Sequence, residues 1–571
     1  MTRSVGHWLV DRQEAVGDNG VVVGKHRLVA EEGIAALERG GNAVDAAVTM
    51  AFTAAVVLPI LNGIGGGGMM VIHRPRQGES VVIDYSMRTP KAAHETMYDL
   101  VEGGSGMLFG WRPVRDDANW LGWRSMAVPG TVAGLALALE RYGTISLGEA
   151  LAPAIRHARD GFAIDFTQTL LFAGQQETIN RYPSSRRILS RDGLPLRAAT
   201  WEGTPDVLVQ ADLARTLEAI AKKGSDALYR GEIADAIVTD MKEAGGLITH
   251  DDLAEYRPEL LEPLTGSYRG YEFLGVPGST AGPTVLETLN ILEGYDLARL
   301  GHNSAAALHL FAEAARQAFA DRFQHMADPQ QVDVPLAGLT SKEYAAALRQ
   351  GIDPERARER VEAGDPWPHE GRARPALAYA PSRPWLDSGT TTLAVADRDR
   401  NLVSLTQTLL AWSGIALPRT GIIMNDAMGW FDPEPGHANS VGPGKKCLSN
   451  MTPALMLKDG RPSLAVGAWG GRRIINTVTQ VLLNVVDFGM GAQQAVSAPK
   501  ADCSTPNVVL DARIASAVPE ALRRMGHRIL VGEQIFGARY FASPVAILVD
   551  PSDGRLHGGE DPFSAGLAVG F

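Results

Sequence analysis

Asp387-Ser388-Gly389-Thr390-Thr391-Thr392-Leu393-Ala394-Val395-Ala396-Asp397 is where the chain changes character. Upstream, residues 353–388 are dense in Arg, Glu, Pro and Gly with little hydrophobic periodicity, the composition of a linker. Downstream, β-branched and apolar residues alternate as they do in a strand. Thr390 alone carries no function, because threonine suits a pleated surface and often opens a strand. What surrounds it decides its meaning.

Beyond this junction the pattern predicts strands over 393–396, 402–406, 422–424, 454–457 and 463–466, then an apolar helix over 474–486. Toward the N-terminus, helical spacing over 28–39 stops at Gly40-Gly41, and Asn42 is placed to cap a second, nearly all-apolar helix beginning Ala43-Val44-Asp45. Residues 43–61 approach membrane-span length, but Asp45, Thr49 and Thr53 interrupt the run and Pro59 ends it, which predicts a helix buried within the fold. Gly63-Ile64-Gly65-Gly66-Gly67-Gly68 has the glycine spacing of a dinucleotide loop, yet it leads into Met69-Met70-Val71-Ile72-His73, a strand and not a helix. Such glycines point instead to backbone passing close to other backbone or to a substrate. Further helices are predicted over 132–142, 211–222, 284–293 and 305–320, and no internal repeat is present.

Composition narrows the class. With 571 residues the chain can bury a large core, either as several domains or as one large layered α/β unit. A net charge of -11 without a Lys- or Arg-rich run argues against nucleic acid and for a small substrate. Cys447 and Cys503 are too few for a disulfide framework and lack metal-ligand spacing, and the thirteen histidines form no HExxH motif. There is no GxSxG elbow. These features imply no metal and no cofactor. The first twelve residues lack the apolar run of a secretory signal, so the expected location is cytoplasmic, with no membrane partner.

Several words, in order and across nearly the whole chain, resemble the γ-glutamyltranspeptidase family of N-terminal nucleophile hydrolases. They are Gly40-Gly41-Asn42-Ala43-Val44-Asp45-Ala46-Ala47, the 63–68 glycine run, Val128-Pro129-Gly130-Thr131-Val132-Ala133-Gly134, Ala158-Arg159-Asp160-Gly161-Phe162, Asn290-Ile291-Leu292-Glu293, Thr390-Thr391, Pro453 and Gly470-Gly471. The resemblance implies a mixed α/β (α+β) fold, a four-layer αββα sandwich. It also implies a precursor in which the Thr390 hydroxyl attacks the Gly389 carbonyl, an N-to-O acyl shift follows, and hydrolysis cuts the chain. Residues 1–389, including the linker, would form the large subunit and 390–571 the small one, held together as a heterodimer of the two fragments; a dimer of such pairs is left open. The new α-amine of Thr390, with a reference pKa of about 7.7 to 8.0, can accept the proton of its own hydroxyl, so no histidine partner is needed. By the same resemblance Thr408 hydrogen-bonds the nucleophile, and Gly470 and Gly471 supply oxyanion N–H groups. The glycines also suit a plain turn between strand and helix.

The match breaks where the family holds glutamate. Ser86 stands for an expected arginine with Arg88 two places on, Leu410 for asparagine, Ala427 for glutamine and Trp430 for aspartate, while only Ser449 of a serine pair remains beside Asn450. A zwitterionic acyl end buried without ionic partners costs several kcal/mol. Arg88, Leu410, Trp430, Ser449 and Asn450 are therefore the expected substrate-binding positions of an altered acyl pocket; Arg88 is either a carboxylate partner or a surface residue, and Trp430 either pocket or core. The expected function is an autoprocessed amide hydrolase or acylase acting through an acyl-enzyme on a non-glutamyl group. A true γ-glutamyltransferase (glutathione hydrolase) and an uncleaved, non-catalytic binding protein are the alternatives. The acyl group, its acceptor, and resolution by water or amine stay open.

Overall fold

In a computed structural model describing residues 10–102, 111–201, 203–375, 390–536 and 540–571, strands from the two ends of the chain interleave in two seven-stranded antiparallel sheets. One sheet runs Ala15–Gly17, Leu556–Glu560, Ser543–Val549, Arg461–Trp469, Ala454–Lys458, Tyr271–Gly275, Leu264–Tyr268. The other runs Leu567–Gly570, Gly20–Gly24, Thr391–Asp397, Leu402–Thr408, Gly67–Arg74, Glu79–Tyr85, Glu259–Leu261.

The period-two alternation of these strands builds the layers. Val22, Leu393, Val395, Met70 and Ile72 face one way and pack with the helices Arg27–Glu38, Ala43–Val57 and Thr131–Tyr142. Their sequence neighbours Val21, Val23, Ala394, Ala396, Met69 and Val71 face the opposite sheet, where they meet Leu455, Ala465, Val545 and Ile547. On that sheet's far side Met456, Leu464, Val466 and Ala546 pack against the helices Gly282–Leu292, Ala305–His325 and Arg473–Val486. Strands buried on both faces read as almost continuous apolar runs, and the result is the expected order helix, sheet, sheet, helix.

The apolar helix Ala43–Val57 is buried along all its residues, as expected for a core helix. Its start is fixed by a capping box: Asn42 Oδ1 accepts from the Val44 and Asp45 amides at 2.8 and 3.0 Å, and Asp45 Oδ2 accepts from the Asn42 amide at 2.8 Å. Among the described residues no helix is long and apolar enough to cross a membrane. Two expectations need correction. Residues 422–424 form no strand; Ile423 and Met424 make isolated bridges to Ala416 and Gly65, so the β-branched pair serves a loop contact. The described part of the presumed linker, 353–375, is docked: Arg358 Nε pairs with Glu313 at 2.7 Å, the Gly364 amide donates to Asp321 at 2.6 Å, and Trp367 is buried.

Candidate active site

Antiparallel pairing of Thr391 with Gln407 and of Thr392 with Thr406 puts Thr390, just before its strand, opposite Thr408 at the end of the next. The two hydroxyl oxygens lie 3.3 Å apart, both residues are buried, and Thr408 Oγ1 also accepts from the Leu410 amide at 2.7 Å. Thr408 is thereby fixed from one side and offers its hydroxyl to Thr390 from the other. Gly389, on the far side of the bond expected to be cut, lies outside the described residues.

The glycine run explains how this strand end comes so close to its neighbours. A Cβ on Gly66 would lie 2.1 Å from the Thr408 carbonyl oxygen, on Gly68 2.6 Å from that of Thr406, and on Gly65 2.3 Å from that of Ile423. Backbone against backbone, not phosphate binding, is why glycines are required there.

Gly470 and Gly471 follow the strand Arg461–Trp469 and lead into the helix Arg473–Val486, with φ of +135° and +59°. Both values lie where side chains are disfavoured. Gly470 shares with Thr390 the wall of a cavity of about 400 Å³, whose other sides come from 58–61, 167–175, Ala411 and Phe541. A buried hydroxyl and a glycine turn at a helix N-terminus thus face one space, an arrangement suited to attack on a carbonyl and to holding the resulting oxyanion.

The five expected substrate positions lie elsewhere, and none lines this cavity. Arg88 donates to Gln330 and to the Gly444 carbonyl at 3.1 and 3.2 Å and pairs closely with Glu259. Ser449 and Asn450 are buried beside Arg322, which donates to the Ser449 carbonyl at 2.5 Å and to Asn450 Oδ1 at 3.2 Å. Burial pulls the Arg322 guanidinium down to about 9. Leu410 and Trp430, with Ala427, belong to an apolar cluster that includes Met87, Trp111, Trp120 and Met428.

Charge near the altered pocket is matched internally. Lys446 donates to Asp84 at 2.8 Å and to Glu259 at 2.9 Å. Burial alone would raise the Asp84 pKa, but Lys446 and Ser86 outweigh it and the carboxyl is held below its usual range. Two features have no signal in the sequence. One is the cavity, assembled from segments far apart in the chain. The other is Asp426: Oδ1 accepts from the Ala411 and Trp412 amides at 2.8 and 3.1 Å, Oδ2 has no hydrogen-bond partner among the described residues, and burial raises the carboxyl to about 8. It braces a loop in which Leu410 and Trp412 take φ of +68° and +73°.

Comparison with known proteins follows the same lines. Residues 29–571 match the sequence profile described as Gamma-glutamyltranspeptidase. The chain is 38% identical over 557 residues to the acylase ACY 1 proenzyme of Pseudomonas sp. (strain SE83), covering 97% of this chain and 94% of that protein. It is 37% identical over 505 residues to a glutathione hydrolase proenzyme of Pseudomonas sp. (strain A14), covering 86% and 82%. The fold superposes on the crystal structure of a cephalosporin acylase from Bacillus halodurans with a TM-score of 0.86 at 28% identity, covering 100% of this chain and 99% of that one. The chain belongs to the γ-glutamyltranspeptidase family and is a hydrolase of the N-terminal nucleophile type.

Proposed function

We propose that the protein cuts itself between Gly389 and Thr390 into 1–389 and 390–571, and that Thr390 then hydrolyses amides whose acyl group is not γ-glutamyl. The observation that carries this is the buried Thr390 hydroxyl, 3.3 Å from that of Thr408, in a cavity wall it shares with Gly470. In the first half-reaction Thr390 Oγ bonds to the carbonyl carbon while its proton passes to the Thr390 α-amine. The N–H groups at Gly470 and Gly471 receive the oxyanion. The carbon–nitrogen bond then breaks, the α-amine returns the proton to the departing amine, and water releases the acid from the ester by the same steps.

The acyl preference follows from Leu410, Ala427 and Trp430, which pack against Met87, Trp120 and Met428 and offer no ionic partner to a free amino-acid end. Intact mass of the purified protein tests the cut, with two fragments meeting at Gly389–Thr390 expected. Thr390→Ala should remain one chain and lose hydrolysis; splitting of that variant at the same bond would falsify the nucleophile. Turnover of a γ-glutamyl anilide as fast as that of other acyl anilides would favour a true γ-glutamyltransferase.

A further inference from the structure

Thr408 offers its hydroxyl to Thr390, and the chain on either side of Thr408 is held tightly. A Cβ on Gly66 would lie 2.1 Å from the Thr408 carbonyl oxygen, so the glycine run leaves the strand end no room to shift that way. Beyond Thr408 the chain turns through Leu410 and Trp412, at φ of +68° and +73°. Large side chains avoid this backbone region, and the conformation persists only where the surroundings impose it. Leu410 and Trp412 are also buried, so the amides of the turn need acceptors within the protein.

Asp426 supplies them. Its Oδ1 accepts from the consecutive amides of Ala411 and Trp412 at 2.8 and 3.1 Å, which uses both lone pairs of that oxygen, and its own amide donates to the Leu409 carbonyl at 3.2 Å. The neighbouring Asn425 anchors Asp426 in turn. Its Nδ2 donates to the Gly65 and Ala127 carbonyls at 2.7 and 2.8 Å, and its Oδ1 accepts from the Ala127 and Ala427 amides, both at 3.0 Å. The contacts therefore form a ring, from Gly65 and Gly66 through Thr408 to 409–412, then by Asp426 and Asn425 back to Gly65. Inside it the Leu410 amide donates to Thr408 Oγ1 at 2.7 Å, which ties the hydroxyl to the conformation of the turn. Thr408 is the member that reaches Thr390, at 3.3 Å.

We infer that Asp426 is a positioning residue for the reaction: by holding 409–412 in its left-handed turn it fixes the Thr408 hydroxyl against Thr390, in self-cleavage and in hydrolysis alike. This rests on Thr390 as nucleophile. An effect that passes through Thr408 is bounded by the loss of the Thr408 hydroxyl itself, on the order of 10²-fold.

Self-cleavage gives a readout that needs no knowledge of the substrate. In full-length chain newly made by cell-free translation, followed by mass spectrometry, Asp426→Ala should slow the appearance of the two fragments by about 10- to 100-fold. Asp426→Asn, which keeps the accepting oxygen, should recover most of the parent rate. In a Thr408→Val background Asp426→Ala should slow the cut by no more than about twofold further, because the group it acts through is gone. Once cut, Asp426→Ala should show the same loss in kcat on whichever of the acetyl, butanoyl, glutaryl and γ-glutamyl p-nitroanilides the parent cleaves fastest, with KM within about twofold. If the alanine variant does not fold, Asp426→Ser, with its oxygen on a shorter arm, carries the same test and should cut more slowly than Asp426→Asn. Parent rates in the alanine or serine variant overturn the inference, as does a loss equally large in the Thr408→Val background. A parent that neither cuts itself nor turns over an anilide refutes the Thr390 reading and the inference with it, whereas an active parent matched by its Asp426 variants refutes the inference alone.

Discussion

Replacing Asp426 with asparagine should stabilise the protein at neutral pH and leave it almost unchanged near pH 4. In the folded protein the carboxyl is buried, Oδ2 has no hydrogen-bond partner among the described residues, and the pKa is raised to about 8. Burial is the main cause, and the backbone N–H groups of Ala411 and Trp412 pull weakly the other way. In the unfolded chain the same group ionises near about 3.9. The folded pKa is the higher one, so the stability this group contributes is fully present below about pH 4 and is lost as pH rises toward about 8. At pH 7 the unfolded state gains about three pH units of ionisation at about 1.4 kcal/mol each, an upper bound of about 4 kcal/mol. Asparagine keeps the oxygen that accepts from Ala411 and Trp412, and puts an N–H where the protonated acid has its O–H. It cannot ionise. Near pH 4 the two proteins should therefore agree within about 1 kcal/mol, and at pH 7 to 8 the variant should be more stable by about 2–4 kcal/mol. Urea midpoints at several pH values from 4 to 8.5, compared at equal slope, read the difference. A gap that stays constant with pH, or that shrinks as pH rises, refutes the reasoning.

Other substitutions test the neighbouring contacts. Thr408→Val keeps the shape but removes the hydroxyl facing Thr390 and leaves the Leu410 amide without its acceptor; mass spectrometry should find accumulated precursor and kinetics a loss on the order of 10²-fold, restored by Thr408→Ser. Gly66→Ala drives a methyl into the Thr408 carbonyl, which should lower stability by about 1–3 kcal/mol and slow self-cleavage in a gel time course. Glu313→Gln weakens the pairs with Arg316 and Arg358 that hold 353–375 down; limited proteolysis should cut within that segment faster than in the parent, and an unchanged rate would mean that other contacts hold it.

What could be read from the residues alone was what depends on near neighbours. Alternation over 393–396 became a strand buried on both faces, Asn42 became a cap, and the 63–68 glycines became close backbone contacts, because period, capping and steric room are local properties. Thr390 and Thr408 stand opposite each other only through antiparallel register, which no spacing rule specifies; their pairing was legible through family resemblance alone. The misreading of 422–424 has the same origin, since a β-branched run that touches Gly65 at one bridge carries the propensity of a strand without its partner. Residues 353–375 looked like a linker because polar segments are normally unheld. Here Glu313 and Asp321, buried on the helix Ala305–His325, supply the partners from a distance. The cavity was invisible for a related reason: 58–61, 167–175 and 469–473 are separated by long stretches of chain, and nothing in any one of them signals the other two.

The strand order bears on what a cut before Thr390 can do. Thr391–Asp397 lies between Gly20–Gly24 and Leu402–Thr408, and Leu402–Thr408 is itself paired with Gly67–Arg74. In the opposite sheet Ala454–Lys458 pairs with Tyr271–Gly275, so each sheet contains strands from before and after the bond. Separating two fragments would break antiparallel ladders in both sheets and expose the core between them, a cost close to that of unfolding. A cut therefore leaves one body. Its local effect is confined to the strand end, where it adds a charge-bearing amine next to a hydroxyl already aligned with Thr408. Self-cleavage in such a frame creates the base for the nucleophile without having to reposition the nucleophile itself, which is why the 3.3 Å contact between Thr390 and Thr408 should already be present in the uncut chain.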